Sequence, residues 1–578
     1  NVKLVVNDQY ATMPAPLSQA LISGERVFTG FTPSISTGSL VVSAVDDSGS
    51  GSPLTTQSTS VVVNRGLPSK LIVVMPVESL DPGRNVAPFG VSGTPSTRTA
   101  GVLFNAGVYA TDSRYNWVPT VSQNPIRVTS GPPSGFVGDF AMTNGSATIT
   151  NLNLITAGFM TLSAVDMDAA APVLDPSGPK TFPLAADTPF GLRILLPNET
   201  RVSERPRVTT TGRTGPAFNT QAGPTFAFDV VVDINDVYWN LTPGTSQEIR
   251  LTSDDPFAVI TPPTQVITTS GTYTVYMKRA GTARLVAQTV SPTLVAPWNY
   301  TLESDTSSVI TVSAGLPTRL VLKLPGENFS EGSPTGKSLV AVPQKAGDAL
   351  TAGGAGVIPD VRVAVVDDFN NIVKNCGANP KCVAEVKIGT PRDPYAPSVS
   401  TVAINTVDGF TPAITVVLRK ATTDQYLTAE EYNHTTGLAD DNPATVSTFT
   451  VVAAEPVGLQ LLMPGQIAAP GSGAYLTGPP YGGFTGAIST PTAGSTFTIT
   501  VNMVDRFMNM TPPVCAPGCP IVSLTSNDPY ASNGLTGALG ANGTIGIANF
   551  KLLTKSTLTI VTGALTVADP ICQDHPPT

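Results

Sequence analysis

Short segments of alternating apolar and polar residues recur along the whole chain. Clear examples are VLFNAGVYAT (102–111), FAFDVVVDI (226–234), VRVAVVD (361–367) and FTITVNMVD (497–505). Side chains of a β-strand point alternately to its two faces, so a period of two indicates a strand with one buried face. Gly, Asn, Asp and Pro stand between the segments, where turns need a positive or a fixed φ. Almost no segment has a helical period, and the pattern therefore predicts an all-β fold of antiparallel β-sandwiches.

One phrase, an apolar run that ends in Leu-Pro or Met-Pro, occurs four times. It reads LIVVMPVE (71–78), LRILLPNE (192–199), LVLKLPGE (320–327) and LQLLMPGQ (459–466). The phrases are about 120 to 140 residues apart, and self-similarity at a long period indicates an array of similar domains. We therefore predict five units in tandem: unit 1 (1–64), unit 2 (65–186), unit 3 (187–313), unit 4 (314–453) and unit 5 (454–578).

A second element, Asp-x-x-x-Asn, follows the alternating strand in each of units 2 to 5. These Asp–Asn turns begin and end at Asp112 and Asn116, Asp236 and Asn240, Asp367 and Asn371, and Asp505 and Asn509. We expect the two polar residues to cap a turn while the enclosed aromatic residue packs inward. Calcium is the alternative, because the elements are rich in oxygen. However, Ca²⁺ takes about six to eight oxygen ligands, more than each element offers, and we assign no metal or cofactor.

A third element ends a strand with an aspartate and an aromatic residue, as in LTSDDPFA (251–258), GTPRDPYA (389–396) and LTSNDPYA (524–531). The first residues, VKLVVNDQYA (2–11), match this element, so unit 1 is predicted to hold only the second half of a repeat. Half a sandwich leaves strand edges and an apolar face uncovered. Earlier residues of a longer protein or strands of a partner subunit would complete it, and the sequence leaves both open.

Composition and charge narrow the range of functions. Hydrophobic residues make up 41% and charged residues 13% of the chain, which favours ordered β domains over disorder. The net charge of −9 is spread thinly and no Lys or Arg run occurs, so nucleic-acid binding is not predicted. No apolar stretch is long enough to span a membrane. The first residue is Asn1 rather than Met, which indicates a processed protein or a piece of a longer one.

The order of these elements resembles the tandem bacterial Ig-like repeats of invasin- and intimin-type surface proteins. The resemblance is carried by AGLPTRLVLKLPGE, then VVDDFNN or VVDINDVYWN, then LTSDDPFA or LTSNDPYA, and it covers most of the chain. It implies an extracellular, cell-surface location and a role in stalks, adhesins or structural layers. It implies no catalytic residues.

Four of the five cysteines form two close pairs, Cys376 with Cys382 and Cys515 with Cys519. Each pair follows the Asp–Asn turn of its unit, and we predict a disulfide in each loop, formed in an oxidising compartment. A four-cysteine zinc site is the alternative, although the pairs lie in different units. Cys572 is left over, and three roles stay open for it: an inert thiol, a bond to a segment outside this sequence, or an intermolecular bond.

Eight N-x-S/T sequons mark where glycans would be attached if the host glycosylates secreted proteins. In a chain rich in Ser and Thr, several such sequons arise by chance. The sequons begin at Asn144, Asn198, Asn240, Asn299, Asn328, Asn433, Asn509 and Asn542.

Catalytic chemistry finds little support in the sequence. The only histidines are His434 and His575, and no G-x-S-x-G, P-loop, G-x-G-x-x-G or H-E-x-x-H motif occurs. We predict a secreted, non-enzymatic structural protein that self-associates as a subunit of a cell-surface filament, sheath or layer. One alternative is the stalk of an adhesin, whose tip binds surface glycans or a host ligand. Another is an array of carbohydrate-binding modules, with Trp117 and Trp239 as candidate aromatic platforms and a core position as the alternative for Trp239.

Overall fold

Strands make up nearly all of the regular structure of the chain. The computed structural model describes residues 1–131, 135–203, 207, 210–244, 246–290, 302–349, 360–376, 379–382, 384–440, 447–473, 482–513, 518–555 and 559–566. These residues form 45 β-strands and three single-turn 3-10 helices, at Pro224–Phe226, Pro380–Cys382 and Tyr432–His434. The predicted all-β class is confirmed. Each hydrogen-bonded sheet of the described residues lies within one unit.

Unit 1 is a single antiparallel sheet with the strand order β2-β1-β3-β4. Its strands are β1 (Val2–Val6), β2 (Ser18–Gln19), β3 (Thr37–Asp46) and β4 (Gln57–Val63).

Unit 2 has two facing sheets and a separate small hairpin, whereas unit 3 has a further three-stranded sheet besides these. Unit 2 contains β5 (Lys70–Val74), β6 (Ser79–Leu80), β7 (Val91–Ser92), β8 (Arg98–Thr99), β9 (Phe104–Thr111), β10 (Gln123–Ser130), β11 (Val137–Met142), β12 (Ser146–Leu152), β13 (Gly158–Asp166) and β14 (Lys180–Ala185). Unit 3 contains β15 (Gly191–Leu195), β16 (Thr200–Arg201), β17 (Arg213–Thr214), β18 (Phe218–Gln221), β19 (Phe228–Asn235), β20 (Gln247–Ser253), β21 (Val259–Thr261), β22 (Thr264–Ile267), β23 (Ser270–Tyr276), β24 (Gly281–Ala283), β25 (Leu285–Thr289), β26 (Asp305–Thr306) and β27 (Ile310–Ser313).

Units 4 and 5 also have a small hairpin beside their other sheets. Unit 4 contains β28 (Arg319–Lys323), β29 (Asn328–Phe329), β30 (Lys337–Ser338), β31 (Gln344–Lys345), β32 (Arg362–Val366), β33 (Glu385–Gly389), β34 (Val402–Ala403), β35 (Thr422–Gln425), β36 (Thr428–Glu431) and β37 (Phe449–Val452). Unit 5 contains β38 (Pro456–Leu462), β39 (Ile467–Ala468), β40 (Phe484–Thr485), β41 (Thr496–Asp505), β42 (Ile521–Ser526), β43 (Leu535–Ala538), β44 (Thr544–Lys551) and β45 (Val561–Leu565).

The core of each of units 2 to 5 lies between facing sheets. In unit 3, the sheet β15-β19-β23-β21 faces the sheet β22-β20-β25-β26, and Val230, Ile249 and Leu285 are fully buried between them. The alternating residues of β19 point inward, as the period of two in the sequence predicts. Burial of such a side chain stabilises the folded state by roughly 1.5–3 kcal/mol.

The repeated Leu-Pro phrase forms a β-turn at the end of the first strand of each complete unit. In unit 2, the N–H of Glu78 donates to the carbonyl of Met75 (3.0 Å), and Val77 has a φ of 74°. Proline at the second position and a positive φ at the third are features of a type II turn. The Glu78 carboxylate also accepts from the N–H of Met75 (2.9 Å). The equivalent bonds at Leu196, Leu324 and Met463 explain why the phrase ends in Glu or Gln.

Unit 1 has the counterpart of only one of the two sheets. Its β1 and β3 pair as β20 and β25 do in unit 3, and β1 leads into NDQYA as β20 leads into DDPFA. Among residues 1–64, Leu40 is the one buried side chain of the Ala, Val, Leu, Ile, Met or aromatic type. Unit 1 therefore has no facing sheet with which to form a core.

Candidate functional site: the junctions between units

Each Asp–Asn turn is organised around its aspartate. In unit 4, Asp367 Oδ1 accepts hydrogen bonds from the N–H groups of Phe369 (2.8 Å) and Asn371 (2.9 Å). Its Oδ2 accepts from Asn371 Nδ2 (2.9 Å) and from the N–H of Gly315 (2.7 Å), in the linker that enters the unit. The linker bond recurs from Gly66 to Asp112, from Asp187 to Asp236 and from Ala454 to Asp505. The aspartate thus holds its own turn and the linker together.

The asparagine of each turn bonds the preceding unit. Asn371 Nδ2 donates to the carbonyl of Lys278 (2.8 Å), and Asn371 Oδ1 accepts from the N–H of Ala280 (2.7 Å). The same pair of bonds joins Asn116 to Ser34 and Ser36, Asn240 to Ile155 and Ala157, and Asn509 to Arg419 and Ala421. We call the four segments contacted in this way, residues 34–36, 155–157, 278–280 and 419–421, the docking loops. All four asparagines are buried, at most 3% exposed.

A second aspartate shapes most docking loops. Asp255, in the third sequence element of unit 3, accepts on Oδ2 from the N–H groups of Lys278 and Arg279, both at 3.0 Å. Asp8 and Asp393 bond the loops of units 1 and 4 in the same way. Unit 2 differs, because Thr156 of its loop donates its hydroxyl to the carbonyl of Ser203 in unit 3 (3.1 Å). These bonds orient the loop so that one carbonyl and one N–H face the next unit.

The third residue of the turn packs on a glycine of the preceding unit. Tyr238 lies against Gly101, and the next two junctions pair Phe369 with Gly223 and Phe507 with Gly347. A Cβ atom on any of these glycines would overlap the aromatic ring. Phe369 and Phe507 also pack against the hydrophobic cores of units 3 and 4. At the first junction Arg114 takes this position and donates to Ser34 Oγ (2.9 Å).

The fourth residue of the turn faces the small hairpin of its own unit. Trp239 has a φ of 67°, is 3% exposed and packs on Gly212. The Arg207 guanidinium lies 4.0 Å from the ring centroid, and Trp239 Nε1 donates to Thr210 Oγ1. Trp239 is therefore a core residue and offers no face for a sugar ring.

Trp117, the other predicted platform, is half-buried. It directly follows Asn116, and its Nε1 donates to the carbonyl of Gly145 (3.0 Å). Its ring packs edge-on against Tyr109, with 6.1 Å between the ring centroids. Both tryptophans thus stabilise the surroundings of the turns.

A buried ion pair supports the turn of unit 3. Arg193 and Asp233 are fully buried, with 2.7 Å between Nη2 and Oδ2, and Arg201 bonds the same carboxylate. Arg193 Nη1 donates to the carbonyls of Gly212 and Trp239. Burial lowers the pKa of Arg193, while the hydrogen bond to Asp233 opposes this shift. Breaking such a pair would leave an uncompensated buried charge, which costs about 3–5 kcal/mol.

The first predicted cysteine pair is a disulfide in the structure. Cys376 and Cys382 are bonded, with 6.0 Å between their Cα atoms, and Cys382 is fully buried in the core of unit 4. The bond closes the loop that follows the Asp–Asn turn. Cys515 and Cys572 lie outside the described residues, so the pairing of Cys515 with Cys519 stays a prediction.

The structure separates the sequons by their accessibility. Asn240 and Asn509 are junction residues whose amide groups are buried and hydrogen-bonded, so these two sequons are closed in the folded chain. Glycan attachment at these two positions is therefore not expected in the folded chain. The exposed sequons are those at Asn144, Asn198, Asn328 and Asn542. Asn299 and the side chain of Asn433 lie outside the described part of the chain.

The carboxylates of the Asp–Asn turns are occupied by N–H donors, four of them at Asp367. No group of three or more His, Cys, Asp or Glu side chains is placed to hold a metal ion in the ranges that the structure describes. The turns thus offer no set of free oxygen ligands that would support the calcium hypothesis. In the same ranges, no helix is both long enough and apolar enough to cross a membrane.

Sequence reasoning found the turns but missed their partners. The aspartates of the third element recur in the sequence, yet nothing local shows that they shape a docking loop more than 20 residues away. The glycines belong to Ala-Gly pairs at 100–101, 222–223, 346–347 and 493–494. This recurrence was the available signal, because an Ala-Gly pair precedes every Asp–Asn turn.

Comparisons with known proteins add little about function. No family model and no curated protein matches the chain, whereas one hundred chains of solved structures do. One is a β-glycosidase from Bacteroides vulgatus, with 12% identity over 42% of this chain and 25% of that chain and a TM-score of 0.16. Another is trypsin-activated α-2-macroglobulin from Escherichia coli, with 11% identity over 92% of this chain and 49% of that chain and a TM-score of 0.21. The chicken CNTN1 FN1–FN3 domains match with 9% identity over 67% of this chain and 99% of that chain, at a TM-score of 0.21. The chain spans 25%, 28% and 33% of the first three matched structures. Likenesses at these TM-scores carry no functional argument.

Proposed function

We propose that the chain is a non-enzymatic extracellular structural protein and a subunit of a cell-surface filament, sheath or layer. The observation that supports this role is the junction, which has the same two asparagine bonds at all four contacts between successive units. A protein that only needed flexible linkage would not require a buried, bonded contact at each step. The repeated contact favours a function in which the relative orientation of the units matters.

The junctions restrict motion between units in three ways. The asparagine amide spans two main-chain groups of its neighbour, and each such hydrogen bond contributes about 0.5–1.5 kcal/mol. An aromatic ring packs on the preceding unit at three of the four junctions. The aspartate fixes the linker itself. Bending at a junction would break these contacts together, so the array resists bending and extension.

Unit 1 offers an uncovered sheet on which a partner segment can assemble. Its single sheet leaves apolar side chains in solvent, with exposed fractions of 44% for Val5, 50% for Val61 and 64% for Val62. A sheet of this kind gains stability when another chain adds strands to it or covers its face. We propose that a neighbouring subunit supplies this cover.

The stalk of an adhesin is the second candidate. It is favoured by the one-way order of the junctions, in which every Asn contacts the unit before it in the chain. A series of such contacts would hold a binding tip at a fixed distance from the cell. The stalk and the filament differ in whether the chains assemble.

Electron microscopy of the purified chain distinguishes the two roles. The filament proposal predicts ordered fibres or sheets whose repeat matches one chain. Isolated straight rods at every protein concentration would contradict it and favour the stalk. Isolated particles that bend freely at the junctions would contradict both. The matched variants Asn371→Ala, at a junction, and Asn328→Ala, on the exposed hairpin of the same unit, test whether the junction is what straightens the particles.

A further inference from the structure

Unit 5 carries a fifth docking loop, residues 553–555. Asp528 Oδ2 accepts hydrogen bonds from the N–H groups of Leu553 (2.7 Å) and Thr554 (2.9 Å). Asp393 bonds Arg419 and Lys420 in the same way in unit 4, where the loop is occupied by Asn509. The hydroxyl of Thr554 adds a bond to Asp528 Oδ1 (2.7 Å). The loop of unit 5 is therefore preformed in the shape that accepts an asparagine at the other junctions.

The glycine of the junction is also present in unit 5. The N–H of Gly494 donates to the carbonyl of Leu552 (2.8 Å), as Gly347 donates to Leu418 (2.6 Å) in unit 4. The two glycines share nearly the same φ, +85° and +84°. A Cβ atom on Gly347 would overlap Phe507 of the next unit, whereas no described atom lies within 4 Å of a Cβ on Gly494. The aromatic position is thus open in unit 5.

The main-chain groups that an asparagine would bond are unused among the described residues. By position, the carbonyl of Leu553 corresponds to that of Arg419 and the N–H of Lys555 to that of Ala421. Neither group has a hydrogen-bond partner in the described part of the chain. Leu553 and Lys555 are exposed, while Arg419 and Ala421 are half-buried beneath unit 5. Two independent features, the loop and the glycine, therefore point to the same missing neighbour.

The occupant cannot come from the turns of this chain. All four Asp–Asn turns are already bound to the docking loops of units 1 to 4, and a second copy has its four turns engaged in the same way. The sequence from 567 to 578 contains no Asp-x-x-x-Asn element. We propose that loop 553–555 and Gly494 form a docking surface for the Asp-x-x-x-Asn turn of a further Ig-like unit. Its asparagine bonds Leu553 and Lys555, and an aromatic third residue covers Gly494.

This inference rests on the junction geometry alone and holds for a filament subunit and for a stalk. Its test is an extended chain in which a second copy of residues 432–566 follows Leu565. The copy is fused after Leu565 because β45 pairs with β42 as β36 pairs with β33, which makes Leu565 the equivalent of Glu431. The added residues then supply the strand that follows β36 in unit 4, the linker and a unit whose Asp–Asn turn is free. The measurement is backbone hydrogen exchange at Lys555, read by mass spectrometry, with protection of the core amides of the appended unit as the check that it folds.

Exchange at Lys555 is expected to slow by about fivefold or more in the extended chain, the effect of one hydrogen bond of average strength. Asn509→Ala in the appended copy, or Asp528→Asn in the original unit, is expected to restore the fast rate. An unchanged rate beside a folded appended unit would overturn the proposal. A second result would also overturn the proposal. If the N–H of Lys555 in the unextended chain became protected from exchange as the protein concentration rose, and Asp528→Asn abolished this protection, the occupant would be a second copy.

Discussion

Asn371 Nδ2 lies 2.8 Å from the carbonyl oxygen of Lys278, although the two residues are 93 positions apart and belong to different units. Together with the bond from Ala280 to Asn371 Oδ1, this contact gives the amide two main-chain partners in the preceding unit. The side chain thus pairs with a loop much as a neighbouring strand would. A residue that the sequence suggests is a local turn cap is in fact the principal link between domains.

The substitution Asn371→Ala tests this link. It removes both bonds and leaves the carbonyl of Lys278 and the N–H of Ala280 unpaired, so we expect the coupling between units 3 and 4 to fall by about 1–3 kcal/mol. Hydrogen exchange at Ala280 is expected to accelerate, while the core of unit 3 stays protected. Asn328→Ala, at an exposed position in unit 4, is the matched control and should leave exchange at Ala280 unchanged. Equal exchange rates in both variants would show that the asparagine does not couple the units.

Gly347→Ala and Gly494→Ala form a second matched pair. Both glycines have a left-handed φ, so each alanine is expected to lose about 1–2 kcal/mol from the backbone alone. Only Gly347 faces the Phe507 ring, and its substitution is expected to cost about 1–3 kcal/mol more through overpacking. Calorimetry of the two variants gives the difference. Adding Phe507→Ala should remove most of that difference, and two variants of equal stability would argue against the aromatic contact.

Acid should loosen loop 553–555 at a predictable pH. Hydrogen bonds from Thr554, through its main chain and its hydroxyl, lower the pKa of Asp528 from 3.8 to about 2. A carboxylate with a depressed folded-state pKa stabilises the fold above its unfolded pKa, and this contribution is lost as the pH falls through the folded value. We therefore expect the protection of the Leu553 and Thr554 N–H groups from hydrogen exchange to fall below its value at neutral pH between about pH 4 and pH 2. Asp528→Asn should remove this pH dependence, and a flat profile in the unsubstituted chain would contradict the assignment.

The disulfide of unit 4 should act locally. Replacing both Cys376 and Cys382 by alanine releases a short loop, and we expect the free energy of unfolding of unit 4 to fall by about 2 kcal/mol. The effect should be confined to unit 4, because the bond joins residues of that unit only. Thermal unfolding followed by hydrogen exchange in each unit is the measurement. Cys572→Ala is the control, and an equal loss in unit 3 would mean that the bond stabilises the junction instead.

Glycan attachment should follow accessibility in the folded chain. On secretion from a eukaryotic cell, Asn144, Asn198, Asn328 and Asn542 are expected to be occupied to a measurable extent, whereas Asn240 and Asn509 are not. The amide groups of Asn240 and Asn509 are buried at the junctions, and a glycan on either would prevent the two units from docking. Glycopeptide mass spectrometry of folded secreted protein is the measurement. Occupancy at Asn240 or Asn509 would indicate that the junction forms late or not at all.

Much of the fold follows from local pattern. The alternation in FAFDVVVDI places Phe228, Val230 and Val232 on one buried face, and the Leu-Pro phrase indicates a turn before any contact is known. The partners of the turns did not follow, because Asn371 and Lys278 are adjacent only after two units have folded and docked. The same limit hid Asp255, whose role is set by a loop 23 residues later in the chain. Contacts between residues so far apart leave one trace in the sequence, which is that the same elements recur in each unit.

The asparagines recognise main-chain atoms, and this has a consequence for the history of the array. The four occupied docking loops read SIS, ITA, KRA and RKA, and their carbonyl and N–H groups are the same whatever side chains they carry. Selection can therefore change the surface of any unit without disturbing its connection. Units are free to be duplicated, lost or exchanged by recombination, and each new neighbour fits as long as the docking loop and the Asp–Asn turn are kept.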